Sequence, residues 1–120
     1  MSSHGSTYQW HKDQSDHNKD TQKYLAQETP HYIDWEINTI FYSSCKLVDA
    51  YLIKHRFGKP PDHIHRRRMV RRELNPIRGA YKKLELLSKQ SRYDGPVNQQ
   101  NVNTAITWHT IIIGYINSNY

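Results

Sequence analysis

The run Ile37-Asn38-Thr39-Ile40-Phe41-Tyr42-Ser43-Ser44-Cys45-Lys46-Leu47-Val48-Asp49-Ala50-Tyr51-Leu52 has a single periodicity, and it is helical. Extended to its neighbours, the positions Ile33, Ile37, Ile40, Phe41, Ser44, Val48, Tyr51, Leu52 and His55 recur mostly at intervals of three and four, which puts them on one face. Ser43, Ser44, Cys45 and Ala50 are small enough to let a second helix approach closely. Upstream, Thr29-Pro30 reads as an N-cap followed by proline at the first helical position, where its missing N–H costs nothing. Downstream, Phe57-Gly58-Lys59-Pro60-Pro61 ends the element with glycine and two prolines.

Other helices follow on both sides. Residues 8–27 are polar, with Trp10, His17, Tyr24 and Leu25 as sparse contacts at helical spacing, and the histidines His4, His11 and His17 are expected to face solvent. Asp62 can cap a helix carrying the arginine cluster until Asn75-Pro76, which either interrupts the helix or lets Asn75 cap a new one. Ile77, Ala80, Tyr81, Leu84 and Leu87 continue an apolar stripe that Ser88 merely flanks, and Tyr93-Asp94-Gly95-Pro96 is a turn that should close it. Val102, Ala105, Ile106, His109, Ile112, Ile113 and Ile116 form a last helix; Ile111-Ile112-Ile113 would also suit a strand, but no partner strand is evident. The expectation is an all-α bundle of four or five helices. It would form one domain over residues 1–120, with the first seven residues disordered and the core at about 8–117.

Charge is segregated along the chain. His63-Ile64-His65-Arg66-Arg67-Arg68-Met69-Val70-Arg71-Arg72 packs five arginines and two histidines into ten residues. Between Lys54 and Arg92 thirteen Lys and Arg face three acidic residues, a net +10, whereas the remainder carries −4, which together give the +6 of the whole chain. Arginine stays ionised and offers a planar fork of donors suited to phosphate, so a polyanion such as RNA or a nucleotide is the first partner to consider. The structural alternative is that Arg66 pairs with Asp49 or Glu73 and the cluster is a solvated helix face. The single cysteine, Cys45, excludes an intramolecular disulfide and suits a small buried side chain. No apolar segment reaches the length of a membrane span and no secretory signal is visible, so a cytoplasmic location without membrane contact is expected. No metal-ligand motif, glycine-rich phosphate loop or nucleophile elbow occurs, and no cofactor is implied.

Read in order, Trp35, Phe41-Tyr42, Val48-Asp49-Ala50-Tyr51-Leu52, Gly58-Lys59-Pro60-Pro61-Asp62-His63 with Arg66, Tyr81, Leu84 and Ser91-Arg92-Tyr93 resemble the small helical proteins of the HEPN superfamily over about residues 35–93. The resemblance implies a compact helical bundle, often a homodimer, that binds or acts on RNA or nucleotides, in many members within toxin, antitoxin or defence systems. Active members cut RNA without metal through an arginine and a histidine four to six residues apart. Here Arg56 and His63 have six intervening residues, but they straddle Gly58, Pro60 and Pro61 instead of opening a helix. In such a site histidine moves a proton and arginine stabilises charge developing on phosphate.

The candidate catalytic set is therefore His63, Arg56 and Arg66, and the candidate nucleic-acid contacts are His65, Arg67, Arg68, Arg71, Arg92 and Tyr93. Three functions stay open at this point. They are an RNA- or nucleotide-binding module, a metal-independent ribonuclease, and an interaction module that meets an acidic protein partner.

Overall fold

The computed structural model describes residues 7–27, 33–94 and 97–120, with backbone alone for 24–27 and 93–94. Among them there are five α-helices and no strand: α1 Tyr8–Gln27, α2 Ile33–Lys54, α3 His63–Glu73, α4 Arg78–Lys89 and α5 Gln99–Asn119. None is long and apolar enough to cross a membrane. The all-helical expectation holds, and the isoleucine run of α5 is helical, with Ile112 buried and Ile111 exposed.

Helix α2 is the axis of the bundle, packing against α1, α4 and α5. Its Ile37, Ile40, Phe41, Val48 and Leu52 meet Leu74, Ile77, Tyr81 and Leu84 from the α3–α4 region and Val102, Ala105, Ile112 and Ile116 from α5 in one apolar cluster. Cys45 is buried there, 3.9 Å from the Tyr81 hydroxyl, and burial pushes its thiol up to about 12. The expectation of a helix start at Thr29-Pro30 lies outside the described residues, as do His4 and the Gly95-Pro96 part of the expected turn. So do the first six residues, whereas Thr7 is fixed as the cap of α1, its hydroxyl accepting from the Trp10 N–H at 3.1 Å.

Helix α1 joins the bundle through a polar face, which is why apolar periodicity describes it poorly. His11, Ser15 and Gln22 are buried, so the expectation that His11 faces solvent is corrected; His17 is exposed as expected. Ser15 Oγ donates to the Ser43 carbonyl and Ser43 Oγ to the Ser15 carbonyl, each at 2.7 Å, a close approach that the small side chains permit. From α5, His109 Nδ1 lies 2.6 Å from Ser44 Oγ and Nε2 3.5 Å from Ser43 Oγ. Because Ser43 gives its one proton to the Ser15 carbonyl, Nε2–H faces it as the donor and Nδ1 of the neutral ring accepts from Ser44. Accepting at Nδ1 requires a neutral ring, and burial holds its pKa down at about 4.

The ends of the elements differ from expectation in instructive ways. Helix α2 closes with Arg56, not Gly58, as its first left-handed residue (φ 66°): Arg56 N–H donates to Ile53 O and Phe57 N–H to Leu52 O. Gly58 is also left-handed, within the loop that follows. Asp62 caps α3 as its position predicts, accepting from the His65 N–H at 2.8 Å. At Asn75-Pro76-Ile77 the chain makes one 3₁₀ turn, and Asn75 does not cap a new helix but donates back to the Arg71 carbonyl. Helix α4 runs into a π turn at Gln90–Asp94. Ser88, far from flanking, is fully buried; its hydroxyl and that of Ser91 both donate to Asn38 Oδ1, which ties this turn to α2. Helix α5 begins at Gln99, earlier than its apolar pattern, because Asn98 and Asn101 form a reciprocal capping box.

Candidate nucleic-acid interface

The two sides of α3 carry arginine under different conditions. Arg66 shares the inward stripe with Val70, and beyond the helix Leu74 continues it at the same four-residue interval; Asp49 occupies a buried position on α2. The guanidinium meets the carboxylate in a bidentate pair, Nε to Oδ1 at 2.8 Å and Nη2 to Oδ2 at 3.0 Å. Burial is the largest single influence and opposes the arginine's charge, but the Asp49 hydrogen bonds together with the surrounding Cys45, Asp49 and Tyr81 outweigh it and the net shift is upward. The remaining arm, Nη1, donates to His63 Nδ1 at 2.9 Å. This order, Asp49 holding Arg66 and Arg66 holding His63, fixes a rotamer and a tautomer together. A ring nitrogen that accepts cannot carry a proton, so neutral His63 carries its proton on Nε2. Burial and the adjacent Arg66 both lower its pKa, in keeping with that assignment.

His63 lies flat against Phe41, ring centroids 5.7 Å apart, and beside Tyr42. It lines a recess of about 360 Å³ together with Arg67, Lys82, Glu85, Lys89 and Arg92, with buried Phe41 and exposed Leu86 also in the lining. Arg67 reaches this recess with its Nε donating to Glu85 Oε1 at 2.8 Å, a bond that raises its pKa. Arg92 is delivered by the π turn and donates through Nη1 to the Tyr42 hydroxyl at 2.7 Å. Departures of this kind from α geometry are common where a side chain must be aimed.

A second, larger depression of about 570 Å³ runs between α3 and α4. Its basic lining is Arg67, Arg68 and Arg71 from one helix and Arg78 and Lys82 from the other, with no carboxylate in the lining. Arg68, Arg71, Arg78 and Lys82 are exposed and make no ion pair among the described residues. Gly79 lies in this wall, and a Cβ there would meet nothing within 4 Å, so the groove is open above it.

Of the expected residues, His63, Arg67 and Arg92 converge on the recess, and Arg67, Arg68 and Arg71 on the groove. Arg66 touches neither surface, being committed to Asp49 and His63. Arg56 is not brought to His63: it follows the C-terminal end of α2, roughly 20 Å along the axis from the Phe41 that His63 covers. His65 is exposed and bonded through Nδ1 to its cap residue Asp62 at 2.7 Å. The Tyr93 side chain lies outside the described residues.

Sequence reasoning counted Arg78, Lys82 and Lys89 as charges without placing them. The signal was present: 78, 82 and 89 fall at intervals of four and seven, one face of α4, and 64, 68 and 71 fall at intervals of four and three, one face of α3. A further recess of about 400 Å³ beside α1 and α5 contains His109, but both of its ring nitrogens face serine hydroxyls, which makes it a structural residue. No protein-family model, curated protein or solved structure matches this chain.

Proposed function

We propose that this protein is a HEPN-like helical module that binds RNA along the α3–α4 groove and does not cleave it. The reading rests on one observation: five basic side chains from two helices line a single groove without a carboxylate among them. Solvated helix faces scatter both signs of charge, and their arginines find local partners, as Arg72 does with Glu73 at 3.0 Å. Of the groove's cations Arg67 does so, with Glu85, while Arg68, Arg71, Arg78 and Lys82 make no ion pair among the described residues. A cationic groove of this kind focuses potential on a polyanion, and four of its five cations are arginines, whose forks match phosphate oxygens.

Binding is favoured over ribonuclease chemistry by the tautomer of His63. With Nδ1 occupied by Arg66, the ring presents N–H at Nε2 and has no lone pair there with which to accept a proton from a ribose hydroxyl. The second member of the expected pair, Arg56, stands elsewhere.

The test is binding of a labelled single-stranded RNA between about 50 and 200 mM salt, with chelator present throughout. Each phosphate neutralised on a single strand contributes about −0.7 to the slope of log K against log salt, so five cations give a slope near −3.5 and the RNA is recovered intact. A slope near zero, or an acidic peptide bound where RNA is not, would replace this reading with that of a protein-interaction module. Cleavage in chelator would replace it with the nuclease.

A further inference from the structure

We infer that the recess beside His63 receives a terminal phosphate monoester of the strand that occupies the groove, so that the protein recognises an RNA end. This rests on the RNA-binding reading and adds to it a ligand chemistry and a direction. The recess and the groove share Arg67 and Lys82, so a strand lying in one leads into the other. Their linings differ in kind. The groove is basic on both walls and holds no carboxylate, whereas the recess adds the neutral ring of His63 and the carboxylate of Glu85 to its four cations, beside buried Phe41 and exposed Leu86.

Four cations, Arg67, Lys82, Lys89 and Arg92, surround one carboxylate, Glu85, leaving three net positive charges. An internal phosphodiester brings a single negative charge and must continue on both sides. A terminal monoester brings about −1.5 to −2 at neutral pH with three acceptor oxygens, and it ends the chain. The donors are positioned in advance. His63 is held through Nδ1 by Arg66, itself clamped by buried Asp49, so its Nε2–H is a fixed neutral donor at the recess. Arg92 is set by its bond to Tyr42 and by a π turn that Ser88 and Ser91 fasten to Asn38. Donors whose orientation is fixed before binding lose little freedom on meeting the anion.

The experiment compares one oligoribonucleotide in three forms, with a 5′-phosphate, with a 3′-phosphate and with hydroxyls at both ends, by fluorescence anisotropy at about 150 mM salt. One phosphorylated form should bind at least fivefold more tightly than the hydroxyl form, and which one it is gives the strand direction. In Lys89→Ala, an exposed position, and in His63→Ala, the ratio should fall towards one, with His63→Gln, which keeps an N–H donor, retaining part of it. Arg68→Ala should weaken all forms by a common factor and leave the ratio intact. A preference below twofold in the parent protein, or one that survives both Lys89→Ala and His63→Ala, overturns the assignment while RNA binding itself stands. Absence of binding to every form rejects the RNA reading on which it rests.

Discussion

The inner and outer sides of α3 hold the same residue type and do opposite things with it. Arg66 is 8% exposed and has a carboxylate on two of its nitrogens and a histidine on the third. Arg68 and Arg71, on the far side, are exposed and face Arg78 and Lys82 across a groove. Burial without a partner would cost an arginine several kcal/mol, so the inner one exists only as half of a pair with Asp49. Exposure costs nothing, so like charges can accumulate outside, where each adds to a field and none to the core. A run of arginines is thus two features superimposed: one residue that holds the bundle together and several that are available to a ligand.

The contrast breaks most readily at Asp49. Asp49→Ala leaves a buried guanidinium uncompensated and should destabilise the fold by about 3–5 kcal/mol in chemical denaturation, whereas Arg71→Ala should change it by less than about 0.5 kcal/mol. Equal effects would mean that the two sides are not distinct.

A second inner group sharpens the same point through pH. His109 is neutral in the fold with its pKa near 4, whereas in the unfolded chain it titrates near 6.5. Its contribution is therefore fully present above about pH 6.5 and is lost as the unfolded state takes up a proton between 6.5 and 4. The total is about 3 kcal/mol at 1.36 kcal/mol per unit. The unfolding free energy measured at pH 7.5 and 4.5 should fall more for the parent than for His109→Gln by an amount of that order. Parallel profiles would contradict a buried, neutral His109.

Much of this architecture was legible before any coordinates. Apolar residues at intervals of three and four placed α2, α4 and α5, and Asp62 announced the start of α3. The pairing of Arg66 with Asp49 was one of two alternatives, and the stripe Arg66, Val70, Leu74 could have chosen between them, since the arginine heads a run of buried side chains. The contacts of α1 were not legible, because a face built from His11, Ser15 and Gln22 has no apolar period to detect. Nor was the left-handed Arg56, with Gly58 two residues away as the more natural choice. The π turn was hidden behind a Gly-Pro pair that reads as a simpler stop, and with it went the placement of Arg92. The cationic groove needed two helices brought side by side, and no single run of sequence reports that.

The most direct test of the division within α3 is the double variant Arg68→Ala/Arg71→Ala, followed by RNA affinity across a salt titration with the unfolding midpoint as control. Removing two phosphate-binding side chains should reduce the magnitude of the salt slope by about 1.4 and weaken binding at least tenfold near physiological salt, with the midpoint unmoved. Unchanged affinity and slope in a fully folded double variant would contradict the account, because the outer arginines would then have no phosphate to meet.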